Sequence, residues 1–210
     1  MSKLEAIAQA IEGGKIKIIG GLVAEALAEQ VDPLSILNQG MIQTMGIVGD
    51  KFKRGDIFVP EMLIAAKAMK KGVEVLKPHL AGQADVSLGT CIIGSVAGDM
   101  HDIGKNLVAM MIESVGFEVI DLGVDVSSEA FIKAIKEHSK VKIVAFSALL
   151  TTTMPAMKAS VAAVKASGLQ GFKIIVGGAP ITEEYAIQIG ADGYSPDAGS
   201  AAVTAKRLIT

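Results

Sequence analysis

The chain has 210 residues, half of them hydrophobic and 20% charged, with a formal net charge of −2 and a single cysteine. This balance excludes a disordered chain and argues against a broad basic surface for nucleic acid or anionic lipid. One cysteine cannot form an internal disulfide, and such sparse use fits a reducing compartment. Because we find no apolar run long enough to span a bilayer and no secretory signal, we expect a cytoplasmic protein without a membrane or nucleic-acid partner.

The N-terminal part of the chain has helical periodicity throughout. Apolar residues recur at the spacing of one helix face in four segments, which glycine and proline breaks separate. These breaks are Gly13-Gly14, Asp32-Pro33, Gly55 and Pro60. Ser2 and Glu5 predict a capping box at the start of the first helix. Four amphipathic helices with short connections predict an antiparallel four-helix bundle.

From residue 86 the pattern changes to short β-rich runs that alternate with helical stretches. The predicted strands are 88–96, 117–122, 141–146, 172–176 and 192–194, and the predicted helices are 103–114, 127–138, 154–167, 182–189 and 198–208. Apolar strands separated by helices imply a five-stranded parallel sheet covered on both faces, which is a Rossmann-like (flavodoxin-like) fold. We therefore expect a helical domain over 1–82, a linker over 80–86 and a sheet domain over 83–210.

Ligands of such sheets bind at the carboxyl ends of the strands, so the loop after the first strand is the most informative one. It runs Gly-Asp-Met-His-Asp-Ile-Gly-Lys-Asn over 98–106. A dinucleotide-binding G-x-G-x-x-G is absent. A phosphate-binding P-loop is also excluded, because Asn106 stands where that loop needs the Ser or Thr that holds magnesium.

What this loop offers is an imidazole, His101, near the carboxylates of Asp99 and Asp102. A neutral imidazole is a good transition-metal ligand, and a carboxylate on its other nitrogen fixes the tautomer. These groups are too few to hold a bare ion, so a metal would have to arrive with its own macrocycle. The alternative is that His101 only caps or packs the following helix.

Three separated motifs resemble the cobalamin-binding signature D-x-H-x-x-G…S-x-L…G-G. They are Asp99-x-His101-x-x-Gly104, Ser147-x-Leu149 and Gly177-Gly178, with 42 and 27 residues between them. The loop as a whole is similar to that of methionine synthase and of the corrinoid proteins of anaerobic methyltransferase systems. In the helical part, Phe52 and the run Gly-Asp-Ile-Phe-Val-Pro-Glu over 55–61 resemble the cap motif of the same proteins.

The resemblance implies roles for individual residues. His101 would be the lower axial ligand of cobalt, Asp99 would accept its other ring N–H, and Ser147 would hydrogen-bond Asp99; these three would be the catalytic residues. Phe52 and Val59 would shield the upper, methyl-bearing face, although core positions in the bundle are the alternative for both. The residues implied to contact the cofactor or its displaced nucleotide tail are Phe52, Val59, Asp99, His101, Asp102, Ile103, Gly104, Ser147, Leu149, Thr151, Gly177 and Gly178.

By the same resemblance the chain is a methyl carrier that is not expected to act on substrate alone. A substrate-specific methyltransferase, such as a methoxyaromatic O-demethylase or a methylamine enzyme, would pass a methyl group to Co(I) bound here. A second methyltransferase would move it from methyl-Co(III) to tetrahydrofolate or a thiol, and a reductive activating protein would rescue oxidised cobalt. The alternatives are a cobalamin-dependent sensor and the small subunit of an adenosylcobalamin mutase, both of which would hold an adenosyl ligand.

Overall fold

The computed structural model describes residues 2–80 and 87–209, which belong to two compact units. The first unit holds the described residues up to 80 together with Ser114–Gly116, and the second holds Ser87–Glu113 and the chain from Phe117 to 209. The predicted boundary between 82 and 83 and all but the first residue of the predicted linker lie outside the described residues. No helix in the described part of the chain is long and apolar enough to cross a membrane.

The first unit is helical, as predicted. Its helices are α1 (Lys3–Glu12), α2 (Ile16–Ala28), α3 (Pro33–Ser35), α4 (Gln43–Arg54) and α5 (Val59–Leu76), with a π-helical segment at Ile36–Ile42 and a 3-10 turn at Lys77–Leu80. The third predicted helix is therefore a helical run with a π segment between α3 and α4. The core of the first unit consists of aliphatic and methionine side chains, among them Ile7, Ile11, Ile19, Met41, Met45 and Met62.

Local chemistry explains where two of these helices begin. The hydroxyl of Ser2 accepts from the Glu5 N–H at 3.1 Å, and the Glu5 carboxylate accepts from the Ser2 N–H at 2.7 Å, so the predicted capping box starts α1. Gly55 ends α4 in the left-handed conformation with φ +76°. The Glu61 carboxylate then accepts from the Phe58 N–H at 3.1 Å and caps α5. The run over 55–61 thus has a structural task as the turn between two helices.

The second unit is a parallel sheet with helices between its strands. The strands are β1 (Thr90–Ser95), β2 (Glu118–Asp121), β3 (Val141–Ser147), β4 (Lys173–Gly177) and β5 (Gly193–Ser195), and the helices are α6 (Ile103–Ser114), α7 (Ser128–Glu137), α8 (Met154–Ala166), α9 (Glu183–Ile189) and α10 (Ala198–Ile209). The strand order is β2-β1-β3-β4-β5 and every pairing is parallel. This is the flavodoxin-like order, so the predicted fold class is confirmed.

The topology fixes where a ligand can bind. The strand order reverses between β1 and β3, and in open parallel sheets the loops that follow two such strands form the binding crevice. The strands beneath are rigidly packed, since every residue of β1 is buried and the rings of Phe131 and Phe146 lie 4.4 Å apart on one face. The loops after β1 and β3 therefore extend from well-packed strands.

Candidate functional site

The buried carboxylate of Asp99 is the centre of the site. Asp99 lies in the loop between β1 and α6 and is 0% exposed. Its Oδ1 accepts from the backbone N–H of His101 at 3.1 Å and lies 2.9 Å from Nδ1 of the same residue. Its Oδ2 accepts from the Leu149 N–H and the Thr153 hydroxyl, each at 2.7 Å. One carboxylate thus ties the loop after β1 to the loop after β3.

These hydrogen bonds determine the charge of Asp99. Burial alone would raise the pKa of the carboxyl group, but donation from the Thr153 hydroxyl, the Leu149 N–H and His101 outweighs burial and holds the pKa well below its usual range. An ionised carboxylate can only accept, so Nδ1 of His101 carries the proton. In the neutral ring Nε2 then carries the lone pair that can bind a metal, and the His101 side chain is 47% exposed.

The hydroxyl that donates to Asp99 differs from the one expected. We expected Ser147, but among the described residues the hydroxyl donor is Thr153, and the expectation was wrong. Ser147 is the last residue of β3, where its carbonyl accepts from the Val96 N–H at 3.0 Å. After β3 the chain turns through a 3-10 turn at Thr151–Thr153, which buries Thr153 against Asp99 and leaves Thr151 exposed.

This difference can be measured on the cofactor-free protein. We expect Thr153→Val to lower the free energy of unfolding by about 1–3 kcal/mol, because a buried carboxylate oxygen loses a charge-assisted donor. Ser147→Ala is expected to change it by less than about 0.5 kcal/mol. Urea denaturation of both variants provides the comparison. A larger loss for Ser147→Ala than for Thr153→Val would restore the original assignment.

The backbone of the His101 loop is held by two further side chains that sequence reasoning missed. The hydroxyl of Ser95, a wholly buried residue at the end of β1, donates to the carbonyl of His101 at 2.7 Å. Asp125, in the loop after β2, accepts from the Gly98 N–H at 2.6 Å and donates its own N–H to the Asp99 carbonyl at 2.9 Å. A serine at a strand end gave no distinctive signal, and Asp125 lies outside every recognised motif.

Apolar side chains in these loops are exposed around the imidazole. Met100 is 67% and Ile103 79% exposed, and Leu149 and Leu150 also present large apolar surface. Exposed apolar side chains beside a few convergent polar groups are typical of a ligand site. Such a surface fits the broad face of a macrocycle whose metal is held by a histidine. Asp102 is exposed and accepts from the side-chain amide of Asn106 at 3.1 Å.

A row of small residues crosses the sheet at its carboxyl edge. Ser95 pairs with Ser147, Ser147 with Gly177, and Gly177 with Ser195. Partners in register on parallel strands point to the same face of the sheet. The buried hydroxyl of Ser195 has no hydrogen-bond partner among the described residues, which fits a site that completes its polar contacts with a ligand.

The three motif glycines differ in their surroundings. A Cβ on Gly104 would meet no atom within 4 Å, so that position is open. A Cβ on Gly177 would lie 2.9 Å from the Ser195 carbonyl oxygen. Gly178 has φ +132°, and a Cβ there would lie 1.8 Å from the Ala148 carbonyl oxygen. Close packing between neighbouring backbones therefore explains why positions 177 and 178 are glycines, without reference to a ligand.

The other predicted cofactor contacts lie in the first unit. Phe52 is in α4 and Val59 is the first residue of α5, and both side chains are partly exposed. Phe58, between them, is 68% exposed. The shielding role of Phe52 and Val59 stays a prediction. Within 2–80 and 87–209, no group of three or more His, Cys, Asp or Glu side chains is arranged to hold a metal ion, so His101 is a candidate to supply a single protein ligand.

Comparison with known proteins agrees with the chemistry of this site. A B12 binding domain model matches residues 89–203, and a second B12 binding domain model matches residues 3–77. The fold and the site thus define a cobalamin-binding protein. The chain belongs to the corrinoid proteins of methyltransferase systems, and its cofactor is a cobalamin or a related corrinoid.

Individual relatives cover nearly the whole chain. Trimethylamine corrinoid protein 1 of Methanosarcina mazei is 44% identical over 84% of this chain and 83% of its own length. The crystal structure of a cobalamin-binding protein from Desulfitobacterium hafniense matches with TM-score 0.83 and 32% identity, over 99% of this chain and 98% of that one. The methanol:cobalamin methyltransferase complex MtaBC from Methanosarcina barkeri matches with TM-score 0.84 and 29% identity, over 99% of this chain and 79% of that one.

Proposed function

We propose that this chain carries methyl groups on the cobalt of its corrinoid, with His101 as the lower axial ligand. The observation that carries the proposal is the pairing of the half-exposed His101 imidazole with the buried, ionised carboxylate of Asp99. When bound, the corrinoid supplies a cobalt centre that accepts a methyl group and gives it up again. The protein supplies orientation, a basic nitrogen and a shaped surface.

Asp99 and Thr153 set the donor strength of the imidazole. Asp99 accepts the proton of Nδ1, so in the neutral ring Nε2 carries the lone pair that can ligate, and a carboxylate at the far nitrogen raises the basicity of a metal-bound histidine. The Thr153 hydroxyl, together with the Leu149 N–H, orients the carboxylate. A proton delivered to this network would weaken the histidine as a donor. We therefore propose that Thr153 donates the hydrogen bond to Asp99 that the resemblance gave to Ser147.

The polar edge of the sheet is proposed to hold the displaced nucleotide tail. Ser147, Gly177 and Ser195 form one row on one face, and the Ser195 hydroxyl, which has no partner within 2–80 and 87–209, is proposed to donate to the ligand. Thr151, exposed at the start of the turn after β3, is a further candidate contact. The apolar side chains of Ile103 and Leu149 are proposed to contact the macrocycle, with Asp102 and the open Gly104 beside it.

Phe52 and Val59 are proposed to shield the methyl-bearing face. Support comes from the motif around them and from their partial exposure in the helical unit. A bond between cobalt and carbon is sensitive to light and water, so a carrier needs an apolar cover that moves when a partner docks.

The partner on the donor side is proposed to be a methylamine methyltransferase. Support comes from the corrinoid proteins named for trimethylamine among the relatives, while a methanol methyltransferase complex contains a similar chain. A second methyltransferase that acts on tetrahydrofolate or a thiol and a reductive activating protein complete the proposed set. A methoxyaromatic O-demethylase is the alternative donor-side partner.

Methyl loading by purified partners tests the function. The protein is reconstituted with cobalamin, reduced, and mixed separately with trimethylamine, dimethylamine, monomethylamine, methanol and methoxyaromatic methyltransferases and their substrates. We expect stoichiometric methylation of the bound cofactor with a methylamine enzyme and no methylation when the methyltransferase is omitted. Exclusive methylation by a methoxyaromatic enzyme would move the proposal to that donor. A native cofactor that carries an adenosyl group would instead favour a sensor or a mutase subunit.

A further inference from the structure

We propose that Asp125 is a positioning residue for the cobalt ligand, acting through the backbone of the loop that carries His101. This inference rests on the proposed function, since it concerns how His101 is presented to a corrinoid. Asp125 lies in the loop between β2 and α7, and no motif of the cobalamin signature includes it.

The contacts of Asp125 form a reciprocal pair with the loop after β1. Its carboxylate Oδ1 accepts from the Gly98 N–H at 2.6 Å, and its own N–H donates to the Asp99 carbonyl at 2.9 Å. The next residue continues the connection, because the Val126 N–H donates to the Ser95 carbonyl at 2.9 Å. The two peptide groups that flank the Gly98–Asp99 link are thus fixed from a neighbouring loop.

The backbone of Asp125 has an unusual conformation. Its φ is +52°, in the left-handed region, where side chains other than Gly, Asn and Asp are disfavoured. Residues held in such conformations concentrate at functional sites, where the surrounding structure requires them. Here the left-handed turn lets one residue offer both an N–H and a carboxylate to the same loop.

The contacts of Asp125 affect the position of the His101 imidazole through Asp99. The position of the Asp99 backbone determines where its carboxylate sits, and that carboxylate accepts from both the N–H and the Nδ1 of His101. A shift of the Gly98–Asp99 segment would therefore rotate or displace the ring. Asp125 is exposed, so replacing it leaves the core of the unit intact.

Three substitutions separate the carboxylate contact from the backbone conformation. Asp125→Asn keeps an Oδ1 acceptor and tolerates the left-handed conformation, Asp125→Gly keeps only the conformation, and Asp125→Ala loses both. We expect the dissociation constant for cobalamin to rise about tenfold for the Ala variant, which is in the range for loss of an outer partner of a metal-bound histidine. We expect an intermediate rise for Gly and a change within about twofold for Asn.

Two further measurements distinguish positioning from mere support of the fold. In the cofactor-free protein, amide hydrogen exchange over 97–102 should quicken in the order Asn, Gly, Ala, while each variant remains fully folded in the absence of urea. In the cobalt(II) form, the change that ¹⁵N-labelled histidine makes in the EPR line pattern should shrink in the same order. The inference is overturned if the Ala variant matches the wild type in affinity and exchange, or if Asn loses as much as Ala. A wild-type protein without nitrogen coupling from His101 would overturn the proposed function instead.

Discussion

His101→Ala is expected to abolish ligation of cobalt by a protein nitrogen. The dissociation constant for cobalamin should rise by more than about tenfold, because loss of even an outer partner of a metal-bound histidine costs about 10–100-fold. Since the cofactor's own base can return to cobalt in the variant, nitrogen coupling alone is ambiguous. ¹⁵N-labelled histidine resolves this: labelling should change the EPR line pattern of the wild-type cobalt(II) form and leave that of the variant unchanged.

His138→Ala is the matched control for this experiment. His138 is exposed at the end of α7, and its replacement should leave both the affinity and the isotope effect at wild-type values. An isotope effect that persists in His101→Ala would mean that another histidine ligates the cobalt. Loss of the effect in the control would show that the label reports something other than His101.

The second large effect is expected from Asp99→Asn, measured as the free energy of unfolding of the cofactor-free protein. Each oxygen of Asp99 accepts from at least two donors, so either orientation of an amide turns an NH₂ group toward N–H or O–H donors. Buried donors left without acceptors cost about 1–3 kcal/mol each. We expect a total loss of about 2–4 kcal/mol in urea denaturation.

Asp102→Asn is the appropriate comparison, because it makes the same chemical change three residues further along the same loop. Asp102 is exposed and contacts the side chain of Asn106, so its replacement should alter the free energy of unfolding by less than about 0.5 kcal/mol. Equal losses for the two variants would mean that the Asp99 network does not stabilise the fold. A stable Asp99→Asn variant with wild-type cofactor affinity would contradict its place beside His101.

The sheet could be predicted from sequence because its strands and helices follow strong local patterns. Each predicted strand and helix of the second unit overlaps an observed one, with ends that differ by a residue or two, as at Thr90 and Ser195. The histidine and its carboxylate were found for the same reason, since Asp99 and His101 are close in sequence and their pairing is local. The π-helical segment at Ile36–Ile42 was not predicted, because apolar spacing does not distinguish a π turn from an α turn.

The remaining contacts of the site depend on tertiary structure. Ser147 and Thr153 both carry a hydroxyl group, Ser147 at the end of β3 and Thr153 six residues later. Only the 3-10 turn at Thr151–Thr153 decides which hydroxyl contacts Asp99. The contact of Asp125 with Gly98 joins residues that are 27 positions apart and depends on strand order and on a left-handed backbone. Neither feature leaves a pattern in the residues themselves.

The hydrogen bonds that hold the His101 loop also affect how binding is driven. Ser95, Asp99 and Asp125 satisfy backbone groups of this loop with partners from the fold itself, so the loop is ordered before any corrinoid arrives. Fixing the backbone of a free loop costs about 1–2 kcal/mol per residue in conformational entropy. In a flexible site that cost makes the free energy of ligand binding less favourable. In this protein the entropic cost of ordering the His101 loop is part of folding and not of binding. The imidazole of His101, the proposed ligand, is therefore preorganised, and ordering this loop adds little entropic cost to corrinoid binding.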